Sequence, residues 1–484
     1  MSRINSNVPS LIAQRHLGTS QQSLRLSLER LSSGLRINRG ADDPAGLIVS
    51  ERLRANISSA NQAIRNTERA VNVIATTEGA LDEVASLLTD IQALVIEAAN
   101  KGAFSDEEIA ANQLQIDASI DSISRIANTT EFAGRKLLNG ELDYVTSGIS
   151  TAQLADVQVL GAKFGSRAFI PVTVDVSQSA QQAQLSFLQS TVGANGATID
   201  IAGPDGIITL SFPASATSNG IVTAINAQTD TTGVTAILLG TSGASGVGIQ
   251  SQQYGSGAFV SVTELNNNTG NFPVVDRNGA QVIRTVGTDA QATINGVATI
   301  SDGLKLAISD SFLKLQLVLS EQFGGGSTGL GQSTFAITEG GALFQLGPEV
   351  NTNLQENIGV KSMQANKLGN ALVGYLSDLK TGQSMALSTD NFKQASDVVR
   401  EVITQVAVLR GRLGAFERDT LQPNVNQLHI TVENLTSSQA VIRDTDFAAE
   451  TSELTRAQIL VQAGNSILAI ANAQSQNVLS LLGG

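Results

Sequence analysis

Apolar residues recur every three or four positions in two long stretches at opposite ends of the chain. The first stretch contains Ile64, Thr67, Val71, Ile74, Glu78, Leu81, Ala85 and Leu88. The second contains Ala395, Val399, Val402, Val406, Leu409, Leu413, Phe416 and Thr420. Alternating steps of three and four residues are typical of helices that pack along a narrow seam. We therefore predict a helix over residues 57–100 that pairs with a helix near the C-terminal end.

The extreme termini show the same spacing. At the front it runs through Leu24, Leu28, Leu31 and Leu35, and at the back through Leu460, Gly464, Ile467, Ala471, Gln474, Val478 and Leu481. The second series includes glycine and glutamine, so that helix should be marginal alone and should order only against neighbours. One such stripe would usually indicate a buried helix of a soluble bundle. Four stripes placed symmetrically favour a long subunit with both ends at one pole and partners on several sides.

The middle of the chain has a different texture, rich in Thr, Val, Ile, Gly and Asn from about residue 134 to 389. Residues 197–212 are predicted to form two strands around the turn GPDG, followed by a helix over 220–230 and a strand over 233–238. Residues 291–300 carry Asn295-Gly296 at their centre, which is a strong signal for a β-hairpin. We expect small α+β modules here.

The predicted fold is mainly α-helical with a β-rich insert. Long N- and C-terminal helices pair to form a coiled-coil or helical-bundle core, and the central α+β region forms one or more outer domains. The predicted segments are an inner N-terminal helix and spoke over 1–43, a helical-bundle segment ending in β elements over 44–175, a central insert over 176–390, a second bundle segment over 391–443 and an inner C-terminal helix over 444–484.

A joint is predicted between Gly34 and Pro44. Gly34 can supply a left-handed cap to the preceding helix. Asp43 can accept hydrogen bonds from the first amides of the next helix, and Pro44 suits its first position, where the missing N–H costs nothing. Asp42 is expected to add a favourable negative charge at that N-terminus.

Charge argues against two classes of partner. The net charge is −13 and the sequence pI is near 4.7, which disfavours binding to nucleic acid or to an anionic membrane surface. No run of about 20 apolar residues could cross a bilayer. The first residues lack the basic segment and apolar core of a cleaved signal peptide, so export would require another machine.

No known catalytic or cofactor motif is found. The two histidines, His16 and His429, lie far apart, so a zinc site of the HExxH kind is excluded. The chain has no cysteine, no phosphate-binding loop and no GxSxG nucleophile motif. We predict a protein that is not an enzyme and that needs no metal or cofactor.

Three motifs resemble those of bacterial flagellins. LSSGLRIN at 31–38 and GADDPAGL at 40–47 are similar to the N-terminal flagellin signature. FAGRKLLNG at 132–140 resembles the motif that ends the N-terminal helical segment of the family. The stretch 448–482, with RAQIL at 456–460 and QNVLSLL at 476–482, resembles the flagellin tail almost position by position. The similarity covers roughly residues 1–139 and 391–482.

This resemblance implies a structural subunit of the flagellar filament, secreted and extracellular, that polymerises with copies of itself. It also implies export through the flagellar type III apparatus, an export chaperone at the C-terminal helix, and contact with the flagellar cap and hook-junction proteins. The expected assembly interface comprises Leu24, Leu28, Leu31, Leu35, Arg36, Asp42, Asp43, Ile64, Val71, Ile74, Leu81, Leu88, Val402, Val406, Leu409, Leu413, Arg456, Leu460, Ile467, Val478 and Leu481.

The same resemblance bears on innate immune recognition. In many flagellins an arginine-bearing stretch, here residues 88–99, is read by a Toll-like receptor. This chain has Asp90 and Gln92 where those flagellins carry arginines, keeps Leu94, and has Gln115 where they have a glutamate. We therefore predict weak or absent receptor activation.

Two alternatives share the terminal motifs. A hook–filament junction protein has the same general architecture, but its tail is less similar to the ending QNVLSLL. A secreted module that binds glycans, or an enzyme carried on flagellin-like ends, would need a site in the middle region. The scarcity of histidines argues against catalysis there but not against carbohydrate binding.

Overall fold

The computed structural model describes residues 7–482, except 166, 241–245, 266–269, 311, 326–329 and 390, and describes only the backbone of 389 and 475–482. The chain divides into two compact units. The first, called the terminal unit here, contains the residues up to Glu68, residues 346–350 and those from Leu421 onward. The second, the central unit, contains Arg69–Gln345 and Asn351–Thr420.

Long helices lie at both ends of the sequence. The helices are α1 (Val8–Ser33), α2 (Pro44–Ala98), α3 (Asp106–Thr129), α4 (Ser218–Asn226), α5 (Thr229–Thr232), α6 (Glu321–Gly324), α7 (Phe392–Phe416), α8 (Gln422–Arg443) and α9 (Phe447–Leu482). A π-helical turn, Glu417–Leu421, separates α7 from α8, and short 3₁₀ turns occur at Thr352–Leu354, Leu376–Leu379 and Leu387–Thr389. The predicted helix over 57–100 is confirmed but begins earlier, at Pro44.

In the terminal unit α1 and α9 are antiparallel. The Asn7 side-chain amide donates to the Ala471 carbonyl at 3.0 Å, and at the other end of α1 Arg30 forms an ion pair of 3.6 Å with Glu450. The buried residues between the two helices are small: Ser10, Ala13, Ser27, Ala457 and Ala471. The first part of α2 packs on α8 in the same unit, through Ala60, Ala63 and Ile64 against Leu428 and Val432.

In the central unit the second part of α2 runs antiparallel to α7. Asp82 forms an ion pair of 2.9 Å with Arg410, and a Cβ placed on Gly414 would lie 3.2 Å from a Glu78 carboxylate oxygen. A step of four residues forward along α2 is therefore matched by a step of four backward along α7. The predicted pairing of the two seams is confirmed.

The buried positions of α2 differ from the predicted series at every second step. From Ala60 onward they are Ala60, Ala63, Ile64, Thr67, Ala70, Ile74, Thr77, Leu81, Val84, Leu88, Ile91, Val95 and Ala98. Ala70, Thr77 and Val84 are buried where Val71, Glu78 and Ala85 were expected, and these three are only half-buried. Thr77 can occupy the seam because its hydroxyl donates to the Val73 carbonyl of the same helix at 2.8 Å.

Strands occupy the middle of the chain, which confirms the predicted fold class. They are β1 (Glu131–Phe132), β2 (Arg135–Lys136), β3 (Tyr144–Ser147), β4 (Leu154–Ala162), β5 (Ile170–Gln178), β6 (Gln182–Phe187), β7 (Ala197–Ala202), β8 (Ile207–Phe212), β9 (Val234–Leu239), β10 (Gly246–Tyr254), β11 (Phe259–Glu264), β12 (Val274–Val275), β13 (Arg284–Val286), β14 (Gln291–Ile294), β15 (Val297–Ala298), β16 (Ile300–Asp302), β17 (Lys305–Ser309), β18 (Leu313–Leu319), β19 (Gly331–Gly340), β20 (Ala342–Gln345), β21 (Gln355–Ile358), β22 (Gly369–Asn370) and β23 (Gly374–Tyr375).

Four larger sheets form two sandwiches within the central unit. In the first sandwich a sheet ordered β15-β14-β5-β19-β3 shares one apolar core with a sheet ordered β16-β17-β18-β4. In the second, β12-β6-β10-β9 and β13-β11-β7-β8 share another core, to which α4 contributes Ile221 and Ile225. The chain leaves the first sandwich after β5 and returns at β14, which pairs with β5. The second sandwich is therefore an insertion within the first.

Local signals in the sequence located the few strands that were predicted individually. The pair β7 and β8 flanks the GPDG turn, and β14 and β15 flank Asn295-Gly296, as predicted. Both turn residues have positive φ, 50° and 81°, which is the conformation that a two-residue hairpin loop requires. The proposed segment boundary between residues 175 and 176 falls inside β5.

The free edge of β9 is covered by a side chain. Asn226, the last residue of α4, donates to the Ala236 carbonyl at 3.0 Å and accepts from the Ala236 amide at 2.7 Å. One amide side chain thus satisfies both backbone groups of an edge residue, which would otherwise offer a pairing site to another strand.

The core of the second sandwich allows a matched test of burial. Phe187 is fully buried and stacks on Phe272, with ring centroids 4.2 Å apart, whereas the adjacent Leu188 is 65% exposed. We expect Phe187→Ala to lower the free energy of unfolding of this sandwich by about 3–5 kcal/mol. Leu188→Ala should change it by about 0.5 kcal/mol or less. Chemical denaturation followed by hydrogen exchange in residues 182–286 measures both, and equal losses would contradict the assigned packing.

Candidate assembly surface

The two segments that join the terminal helices to the rest of the chain pair with each other. Gly34 ends α1 with a left-handed φ of 73°, and its carbonyl accepts a hydrogen bond of 2.9 Å from the Thr445 amide. Leu35 forms a β-bridge with Asp444. The Arg36 amide donates to the Arg443 carbonyl at 2.7 Å. Residues more than 400 positions apart are therefore held by backbone hydrogen bonds, so both terminal helices start from one fixed point.

Arg36 reinforces this joint with its side chain. One guanidinium nitrogen donates to the Ile442 carbonyl at 2.6 Å, at the C-terminal end of α8. Carbonyls in the last turn of a helix have no partner within the helix, and that end carries a partial negative charge. An arginine placed there satisfies a free acceptor and stabilises the helix terminus electrostatically.

Asp42 and Asp43 have different roles. Asp43 accepts from the Gly46 amide at 2.9 Å and so caps α2, with Pro44 at its first position, as predicted. Asp42 instead accepts from the amides of Arg39 and Asn38, at 2.8 and 3.0 Å. Those hydrogen bonds, chiefly that from Arg39, hold the pKa of Asp42 below its usual value. The carboxylate of Asp42 therefore also organises the loop before the helix, and its expected electrostatic effect on the N-terminus of α2 stays a prediction.

Ile37 lies beneath this joint with only 1% of its surface exposed. Gly46 approaches it closely: a Cβ at Gly46 would lie 2.8 Å from Ile37 Cδ1 and within 3 Å of the Asp43 carboxylate. The second glycine of the GADDPAG segment is therefore required by packing. Ile37 was not among the predicted residues, because a single apolar residue in a polar loop carries no periodic signal.

Large apolar side chains point outward from α1 and α9. We call this set the terminal apolar face: Val8, Leu11, Ile12, Ile459, Leu460, Ile467 and Ile470. The exposed fraction reaches 61% at Leu11 and 67% at Ile470. On α9, Ile467 and Ile470 follow Ile459 and Leu460 by seven to eleven positions, which places all four on one side of the helix. Small residues fill the contact between the helices while these large ones face outward, which is the reverse of an ordinary soluble pair and marks an interaction surface.

Comparison with known proteins identifies the family. The family model of the bacterial flagellin N-terminal helical region matches residues 4–143, and that of the C-terminal helical region matches residues 396–482. A flagellin from Salmonella rubislaw is 30% identical over 510 residues and one from Salmonella typhimurium is 31% identical over 525, each alignment covering 99% of both chains. This chain belongs to the bacterial flagellin family.

This flagellin is accordingly a structural subunit of the flagellar filament. The match to flagellins extends through the middle region as well as the ends, which favours the filament subunit over a module carried on flagellin-like ends. A solved structure of FliC from Burkholderia pseudomallei is 15% identical, with 73% of this chain and 99% of that chain covered, at a TM-score of 0.25. A TM-score that low supports no argument about fold.

The predicted interface residues of this flagellin fall into separate groups. Buried along the helix seams are Ile64, Ile74, Leu81, Leu88, Val402, Val406, Leu409 and Leu413. Half-buried are Leu24, Leu31, Leu35, Asp42, Asp43 and Val71, and exposed are Leu28, Arg36, Arg456, Leu460 and Ile467. The side chains of Val478 and Leu481 lie outside the described residues. The buried group packs within the subunit, whereas the half-buried and exposed residues keep side-chain surface that a neighbour could cover.

Several exposed residues of this flagellin escaped the sequence analysis. Ile459 and Ile470 adjoin predicted residues but fall outside the strict heptad positions, and Val8, Leu11 and Ile12 are spaced as on one helix face. The receptor-related residues are placed at the surface of the central unit: Asp90 and Gln115 are exposed, and Gln92 and Leu94 are half-buried.

In the described part of the chain no helix is long and apolar enough to cross a membrane, and no three His, Asp or Glu side chains gather as a metal site would require.

Two glycines of α2 provide a matched test of the joint. Gly79 has open space around its Cα, so Gly79→Ala should stabilise the helix by about 0.5–1 kcal/mol. Gly46→Ala adds the same methyl group where Ile37 and Asp43 leave no room, so it should destabilise the joint despite the better helix former. Hydrogen exchange of the first turn of α2 measures the difference, and two stabilising substitutions would contradict the packing at Gly46.

Proposed function

We propose that neighbouring subunits of the filament cover the terminal apolar face. The observation that carries this proposal is the inverted arrangement of α1 and α9, in which small residues fill the contact between the helices and large apolar residues face outward. A filament subunit has neighbours on several sides, so copies of this chain are the partners at hand. The exposed Leu28 extends the same interface, and Val478 and Leu481 remain assigned to it from the sequence pattern alone.

The driving force for this contact is the removal of apolar surface from water. Full burial of one Leu or Ile side chain is worth about 1.5–3 kcal/mol. Seven residues of the terminal apolar face can therefore supply a large part of the free energy that holds one subunit to its neighbours, against the cost of immobilising the subunit. Arg36 and Asp43 serve this interface indirectly, because they fix the joint from which both terminal helices extend.

The finer features of the function are inferred from the family. The chain is exported unfolded through the flagellar type III apparatus, with a chaperone at α9, and assembles outside the cell beneath the cap and beyond the hook-junction proteins. The small size of the buried residues between α1 and α9 supports this route, since each contributes little apolar area to the pairing that must be absent before export. Non-enzymatic, mechanical work suits a chain whose helices and sandwiches carry no recognised catalytic motif.

A proposed division of labour follows the segments predicted from sequence. Residues 1–43 and 444–484 form the innermost layer of the filament, and residues 44–175 and 391–443 the layer around it. Residues 176–390 face outward, although the strand pairing of β5 with β14 and β19 ties this insert firmly to the preceding segment.

The terminal apolar face can be tested by polar substitution. Replacing Ile459, Ile467 and Ile470 with glutamine should raise the protein concentration needed for filament growth by roughly tenfold or more, the factor that a loss of about 1.4 kcal/mol produces. The control replaces Ile207, Ile283 and Ile300, which are at least as exposed but lie on the sandwiches. Seeded growth followed by sedimentation and negative-stain microscopy measures both. Equal thresholds for the two triple variants would refute the proposed interface.

Weak receptor activation is a separate prediction. Asp90 and Gln92 replace positive charges with a negative and a neutral side chain on α2, so a receptor surface that reads arginines loses two charge-assisted contacts. The chain should give little response in reporter cells at low protein concentration. The variant Asp90→Arg, Gln92→Arg, Gln115→Glu should respond more strongly, whereas Asp302→Arg, an exposed change on the first sandwich, should not. A strong response from the unmodified protein would contradict the prediction.

A further inference from the structure

The helical segment from Phe392 to Arg443 is interrupted once. Five residues, Glu417–Leu421, adopt a π-helical turn between α7 and α8. A π turn accommodates one residue more than the α-helix on either side of it, and such turns occur often at functional positions. The interruption therefore has a cost in regular helix geometry that the surrounding sequence must offset.

The extra residue is visible in the spacing of the buried positions. In α7 a row of buried residues advances by sevens through Val399, Val406 and Leu413. The next step is eight residues, to Leu421, which is fully buried, and then seven again, to Leu428. Thr420, where the regular spacing predicted a seam residue, is only half-buried. The sequence prediction was wrong at this position because it assumed an unbroken α-helix.

The sequence of α8 records the same shift. From Leu421 onward, every seventh residue is apolar: Leu428, Leu435 and Ile442 follow. Had the spacing of α7 continued without the extra residue, the row would have contained Thr420, Gln427, Asn434 and Val441. Only the shifted row can form an apolar seam. The apolar residues of α8 are therefore displaced by one position relative to the sevenfold spacing of α7.

Pro423 explains why the shift occurs at this point. Proline has no N–H to donate to the carbonyl four residues earlier, here that of Asp419, and its ring clashes with that carbonyl in an α-helix. The π turn ends at Leu421, two residues before this proline, which occupies the first turn of α8. A proline is tolerated in the first turn of a helix, so the turn ends one helix and lets the next begin at a permitted position.

The shifted phase places specific contacts in the terminal unit. The Asn424 amide donates to the Thr67 hydroxyl at 3.2 Å and to the Leu346 carbonyl at 2.9 Å. Leu428 packs on Ile64 and its alanine neighbours. Rotation of α8 by one residue, about 100°, would remove these side chains from their partners and would bring Gln427 to the apolar seam.

We propose that the π turn resets the helical phase between α7 and α8. It accommodates one extra residue, and Pro423 fixes the position of that residue in the chain. Together they determine which face of α8 is buried. Thr420 contributes as the surplus residue rather than through its chemistry, and Pro423 is a positioning residue. This assignment is independent of the terminal apolar face, because α8 packs within its own subunit.

The test is a set of full-length variants that separates residue count from residue identity. Thr420→Ala keeps the count and should leave amide protection of α8 within about twofold of the unmodified protein, because Thr420 is only half-buried and alanine is a better helix former than threonine. Deletion of Thr420 removes the surplus residue, so the chain must form a continuous α-helix with Pro423 inside it. That variant should lose at least about tenfold in amide protection across residues 421–443, the factor that a proline inside a helix readily exceeds.

The decisive variant combines the deletion of Thr420 with Pro423→Ala. A continuous α-helix then places Leu413 and Leu421 seven residues apart with no proline to interrupt it, so protection should return to near the original level. Hydrogen exchange detected by mass spectrometry on the full chain measures all four proteins. Failure of Pro423→Ala to rescue the deletion, or an equal loss in Thr420→Ala, would overturn the proposal, because neither result fits a role based on residue count.

Discussion

The fold of this flagellin depends on one constraint: α1, α2, α7, α8 and α9 each pack on a helix from the opposite end of the chain. Asn7 meets Ala471, Arg36 meets Ile442, and Asp82 meets Arg410. A helix with one apolar stripe gains most of its stability from packing rather than from intrinsic propensity. None of these helices can therefore be completed locally, and the chain must close loops of several hundred residues before the seams form. The entropic cost of closing such a loop rises only slowly with its length, which is why a large middle region is tolerated.

The middle region consists of one sandwich inserted within another. Helical pairing brings the two ends of the insert together, and the first sandwich is built from segments on both sides of a second one. Strands β5 and β14, neighbours in a sheet, are separated in sequence by the whole second sandwich. The paired helices hold the two ends of the first sandwich side by side, and the first sandwich does the same for the second. Each inserted domain therefore fits without straining the domain into which it is inserted. The cores remain separate, one for each sandwich.

Much of this arrangement could be predicted from the sequence, because it rests on local patterns. Heptad spacing located the helices, Asn295-Gly296 located a hairpin, and Asp43 with Pro44 located the start of α2. The errors arose where spacing alone does not choose between adjacent residues. Thr77 is buried instead of Glu78, and its hydroxyl is satisfied by its own helix. Leu421 is buried instead of Thr420, because a π turn that regular spacing does not predict shifts the seam by one residue. Ile37 and the outward set on α1 and α9 depend on packing between distant segments, which no local pattern reports.

The covered edge of β9 has a consequence for a protein that works only in large numbers. In a polymer, identical sandwiches lie at very high local concentration, and an open strand edge would recruit its equivalent on the next copy through the backbone, without regard to side chains. Asn226 already occupies both polar groups of Ala236, so a strand that approaches this edge cannot form continuous backbone pairing through that residue. The choice of contacts between copies is thereby left to side-chain surfaces, which can differ from one face of the molecule to another in a way that backbone groups cannot.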